Sequence, residues 1–117
     1  MKQYLNSNQT AKLIELGFEK PSNTIVKEEP IYREGSIIDW KPIAEEGAYS
    51  IGELIEMLPM IIGKNYGYTL SIYMDGARWI VAYDNGDEYS TLYAITKDEL
   101  IDSLYDMIIK LKEEGVI

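Results

Sequence analysis

The chain has 117 residues, 46% hydrophobic and 26% charged, with a formal net charge of −9 and neither cysteine nor histidine. This length supports one domain with its own core, and the composition is ordinary for a soluble globular protein. The two missing residue types exclude disulfides, zinc–thiolate sites, thiol catalysis and any Ser-His-Asp relay.

Residues 8–16 read as a short helix. Asn6 or Ser7 can cap it, Ala11, Leu13, Ile14 and Leu16 supply an apolar face, and Gly17 stops it. Residues 18–48 are punctuated by Pro21, Pro30, Pro42, Gly35 and Gly47. Prolines at this density confine strands to edges, so the segment is expected to be irregular and to wrap the core, with one edge strand near 37–40. Ser50 and Glu53 have capping-box spacing ahead of a helix over 51–58, whose stripe is Ile51, Leu54, Ile55 and Leu58 and whose stop is Pro59. Met60 to Gly63 is an apolar connection, and 64–67 turns into the next element.

Tyr68 to Tyr83 states its own geometry. Two alternating runs flank Asp75-Gly76, a strong two-residue hairpin signal. Folding on that turn pairs Met74 with Ala77, Ile72 with Trp79, Leu70 with Val81 and Tyr68 with Tyr83 on an apolar face. Tyr73 with Arg78, Ser71 with Ile80 and Thr69 with Ala82 form the other. A second turn at 84–88 leads to a third strand over 89–95. A two-residue turn there would put Ser90 and Leu92 on the core face. A bulged three-residue loop would put Tyr89, Thr91, Tyr93 and Ile95 there, and it buries more apolar surface. Thr96 and Glu99 form a second capping-box pattern before a helix over 97–113. Its stripe is Leu100, Ile101, Leu104, Ile108 and Leu111, flanked by Tyr105 and Met107.

These elements predict a two-layer α+β fold within a single domain, 1–117. A three-stranded antiparallel meander (67–74, 77–84, 89–95) has the helices 8–16, 51–58 and 97–113 on one face.

No catalytic, cofactor or metal constellation emerges. Asp84, Asp87 and Glu88 lack calcium-loop spacing and read as a polar turn. Glu53 with Glu56, and Asp102 with Asp106, lie off the apolar stripes, where exposure and helix ends explain them. The middle of the chain has only Lys64 and Arg78 as cations, which argues against a phosphate-tracking surface and hence against nucleic acid as a partner. No apolar run reaches the roughly 18 residues of a membrane helix, and the opening residues do not read as a signal peptide, so a cytoplasmic location is expected. The one surface with a functional reading is Tyr73, Arg78 and Ile80, an aromatic and arginine strip opposite the core.

Ala48–Pro59, the Tyr-rich hairpin around Trp79, Glu99–Tyr105 with Lys112–Ile117, and the opening Ala11–Gly17 together resemble a group of small uncharacterised proteins of prophages and mobile elements in gut Bacteroidetes. The resemblance implies an accessory protein of a mobile element and carries no activity or site residue. Three functions stay open. The first is a non-enzymatic protein that binds another protein or assembles as a homo-oligomer. The second is an acidic nucleic-acid mimic that inhibits a DNA-binding enzyme. The third is a ligand-binding module or enzyme using Tyr, Asp or Arg.

Overall fold

The computed structural model describes residues 1–63, 67–86 and 90–117. Among these the fold is α+β, with three helices and two antiparallel sheets of two and four strands. The chain divides into two compact units, Asn6–Tyr49, and Met1–Leu5 with Ser50–Ile117.

The first unit opens with α1 (Ser7–Glu15). Asn6 caps it: its side chain accepts the Gln9 N–H, and the Gln9 side chain accepts the Asn6 N–H. The helix ends at Gly17, whose φ of +96° favours glycine.

Residues 18–48, expected to be irregular, contain instead a long hairpin of β1 (Thr24–Arg33) and β2 (Ser36–Gly47). Glu34 and Gly35 both have positive φ, +52° and +80°, the signature of a tight I′ turn. Two physical reasons hid this ribbon. In a two-stranded sheet both strands are edges, so proline is tolerated where its missing N–H would have faced outward. The register also shifts twice, leaving Ile38 and Ile43 as extra residues in β2. Skipping those two restores alternation. Ile37, Trp40 and Pro42 share one face, and Ser36, Asp39, Lys41, Ala44 and Glu46 share the other.

The second unit is built on a sheet ordered β3 (Ile61–Ile62), β4 (Tyr68–Asp75), β5 (Arg78–Asn85), β6 (Ser90–Lys97). The expected meander is therefore present with one further edge strand, since Ile61-Ile62 pairs with Tyr68-Thr69. Gly67 permits this closure. A Cβ there would stand 2.8 Å from both the Ile61 side chain and the Ile62 carbonyl oxygen.

The β4–β5 register differs from expectation by two residues. Asp75 pairs with Arg78, Met74 with Trp79, Tyr73 with Ile80, Ile72 with Val81 and Leu70 with Tyr83. The turn residues are thus Gly76-Ala77. Only Gly76 has positive φ, +64°, as a glycine-first II′ turn requires. A slide of two leaves every side chain on its expected face, so alternation could not distinguish the two registers. The β5–β6 pairing contains a bulge, at Leu92 within β6 rather than in the expected three-residue loop. Tyr93 and Ile95 oppose Tyr83 and Val81 on the core face, but Thr91 opposes Asp84 and donates its hydroxyl to that carboxylate at 2.9 Å. Thr91 thus leaves the face expected for it, because the bulge absorbs one residue next to it. Tyr89, and the turn at 64–66, lie outside the described residues.

Two helices complete this unit. Ser50 caps α2 (Ile51–Met57) through the expected box with Glu53. The expected box at Thr96 does not form, and α3 runs from Leu100 to Glu113 with Glu99 as a cap that makes no side-chain capping bond. Thr96 is engaged in β6 opposite Ile80, and the Glu99 carboxylate instead accepts the Lys2 backbone N–H at 2.9 Å. Both members of the pattern are therefore taken by tertiary partners. In α3, Leu100, Ile101, Leu104, Met107, Ile108 and Leu111 are buried. They meet the face of β5 and β6 that carries Val81 and Tyr83, both fully buried. The Lys110 ammonium lies 5.7 Å from the centroid of the Tyr93 ring on that face. Ser103, fully buried in mid-helix, donates to the Trp79 carbonyl at 3.0 Å and ties α3 to β5.

Candidate functional site

Of the expected strip, Tyr73 and Ile80 are direct cross-strand partners and Arg78 is offset by two residues. Tyr73 is exposed and directly opposes the half-buried Ile80. Arg78 is not the cross-strand partner of Tyr73, because the two-residue slide places it opposite Asp75. Its guanidinium Nε lies 3.4 Å from Asp98 Oδ1 instead. The strip is thus an aromatic and an isoleucine, with its cation turned to a carboxylate.

Three of the four carboxylates in the two expected pairs have structural partners. Glu53 belongs to the α2 cap. Asp102 and Asp106 take the ammonium groups of Lys2 and Lys97, each at 3.1 Å. Asp84 holds Thr91, while Asp87 and Glu88 lie outside the described residues. Among the described residues no group of three or more Asp or Glu could hold a metal ion. Nor is any described helix long and apolar enough to cross a membrane.

The larger feature is the β1–β2 ribbon, which sequence reasoning missed. Its register makes it amphipathic. On one face Lys41 meets Glu29 at 2.8 Å and Lys27 meets Glu46 at 3.1 Å. On the other, Trp40 opposes Pro30, Ile37 opposes Tyr32 and Pro42 opposes Glu28, with Val26 two residues further along β1. Trp40 is 52% exposed, Tyr32 62%, Ile37 49% and Val26 51%. Every residue from 31 to 45 is exposed. A two-stranded ribbon is marginal by itself in water, and an aligned row of bare aromatics on one is a feature of surfaces that bind. The sequence signal that could have found it is Glu34-Gly35 between two β-branched and aromatic runs, read with both bulges removed.

The base of the ribbon is held by polar contacts. The Ser7 hydroxyl donates to Glu46 Oε1 at 2.7 Å, and the Lys27 ammonium lies 3.2 Å from the Ser7 oxygen. Tyr49 donates its hydroxyl to the Glu19 carbonyl, and the Ala48 N–H donates to the Asn23 carbonyl at 3.0 Å. The Ser7 hydroxyl first, and the Lys27 ammonium after it, hold the Glu46 carboxyl below its ordinary value of 4.5. A carboxyl with a lowered folded value stabilises the fold above the ordinary value, and that contribution is lost as pH falls through the lowered one. A carboxyl NMR titration should therefore place Glu46 below 4.5 and return it toward 4.5 in Ser7→Ala. A midpoint that does not move in the variant would show that the serine does not hold it.

Comparison with protein-family models, with curated proteins and with solved structures finds no match.

Proposed function

We propose that this chain is a non-enzymatic binding protein and that the apolar face of the β1–β2 ribbon is where it meets a protein partner. The observation that carries the reading is the alignment of Tyr32, Ile37 and Trp40, all exposed, on one face while the ion pairs occupy the other. Tyr and Trp bury large, stiff surfaces at low entropic cost and dominate interface energetics. The ribbon carries six acidic and three basic residues between 24 and 47, which disfavours a nucleic-acid backbone as its target. An accessory role in a mobile element is the setting that the sequence resemblance suggests for such a binder. The nucleic-acid mimic is the weaker reading. Along α3 and just before it, Asp98, Asp102, Asp106 and Glu114 are matched by Arg78, Lys2, Lys97 and Lys110, which breaks up a phosphate-like row.

A photoreactive benzophenone residue at position 38 of the full chain tests the reading in cells. Light should attach a protein at position 38 but not at position 96, and Tyr32→Ser with Trp40→Ser should abolish the product. Equal labelling from both positions, or labelling indifferent to the double substitution, would remove the ribbon as the binding surface.

A further inference from the structure

We infer that the occupant of the ribbon's apolar face is a second copy of the same ribbon, stacked face to face with its strands running tip to base. This rests on the protein-binding reading above and names the partner. The area supports it. From their exposures, Trp40 and Tyr32 each offer roughly 150 Å² and Ile37 and Val26 roughly 90 Å². One copy therefore presents on the order of 500 Å² of aligned apolar surface, and two copies bury about 1,000 Å² before any rim contact, the lower bound for a specific interface.

The chemistry of the face also suits its own copy. It carries Glu28 and Glu45 at its base, while its lysines sit on the opposite face in ion pairs that stacking leaves solvated. Stacking adds a second layer about 10 Å away and converts a marginal ribbon into a four-stranded sandwich. Orientation follows from charge. Parallel stacking would gather Glu28 and Glu45 of both copies at one end. Antiparallel stacking about the Pro30–Trp40 pair divides them between the two ends. It sets Trp40 over Trp40 of the second copy, and places Tyr32 at the level of that copy's Glu28. There the phenol can donate to a carboxylate that has no intrachain partner among the described residues.

Sedimentation velocity of the full chain, from about 1 to 100 µM, provides the test. Dimer should be present across the upper part of this range, since about 1,000 Å² of interface with two aromatic anchors suits micromolar association. Tyr32→Ser with Trp40→Ser should weaken it about a hundredfold or more. Ile31→Ser, on the opposite face, and Tyr73→Ser, on the other sheet, should not. Circular dichroism matching the parent would show that the double variant stays folded. Because the chain has no cysteine, a nitroxide on Ser36→Cys reports orientation uniquely. Position 36 points away from the stacked face, so its two nitroxides should lie on the order of 30 Å apart in the antiparallel stack and on the order of 20 Å in the parallel one. A monomer at every concentration, a dimer untouched by the double substitution, or the shorter spacing would overturn the inference. If the chain is monomeric while position 38 captures a different protein, the dimer fails and the protein-binding reading stands. If neither is seen, both fall.

Discussion

Replacing Tyr83 with alanine is expected to cost about 3–5 kcal/mol, the range for removing a fully buried aromatic ring. Tyr83 is 0% exposed at the centre of the four-stranded sheet, between Leu70 on β4 and Tyr93 on β6. Its hydroxyl donates to the Pro59 carbonyl at 2.8 Å, so it also anchors the chain that leaves α2. Tyr83→Phe should separate these roles. It keeps the ring and leaves the Pro59 carbonyl without this donor, for a smaller cost of about 1–2 kcal/mol. Urea denaturation followed through Trp79 fluorescence, in a Trp40→Phe background, would read both without a signal from the ribbon. Equal losses in the two variants would show that the ring contributes little.

The same residue gives an alkaline signature. Burial pushes the Tyr83 phenol up to about 12 from its ordinary value of 10.0. The neutral phenol is favoured in the fold, so the raised value contributes stability that is fully present below 10.0. That contribution is lost as pH rises toward 12, because the unfolded phenol ionises first. The parent should therefore lose more stability between pH 9 and 11 than Tyr83→Phe, which has no phenol to ionise there.

Leu104→Ala is expected to cost about 2–5 kcal/mol, measured in the same way. Leu104 is fully buried in the stripe of α3, beside Ser103 and between Ile101 and Ile108. Its neighbours are fixed both by helix geometry and by the Ser103 hydroxyl on the Trp79 carbonyl, so little collapse can fill the cavity. Ser103→Ala should cost only about 1 kcal/mol, the net value of one hydrogen bond. A Leu104→Ala variant within 0.5 kcal/mol of the parent would mean that α3 does not bear on the sheet as described.

Individual residues show why some features were legible before folding and others were not. The Asn6 and Ser50 caps, the stripe of α3 and the two faces of the β4–β5 hairpin depend on neighbours a few residues away, and all of them form. The Thr96–Glu99 box has the same local signature and fails, because β6 and the Lys2 N–H take its two members. Tyr73 and Arg78 were expected to face one another. Alternation specifies a face but not a partner, so a slide of two separated them at no cost in burial.

The ribbon is the fullest case of this division. Composition and periodicity by themselves determined an acidic α+β protein without cysteine or histidine, its three helices and the long strands of its main sheet. They did so because helix and strand periods are properties of consecutive residues. Only the tertiary structure decided that the proline-punctuated stretch is a hairpin, that Ile38 and Ile43 are its bulges, and that Tyr32, Ile37 and Trp40 fall on one face. Pairing across a turn relates residues up to 23 positions apart, Thr24 to Gly47, and a bulge alters the alternation by which such pairing is read.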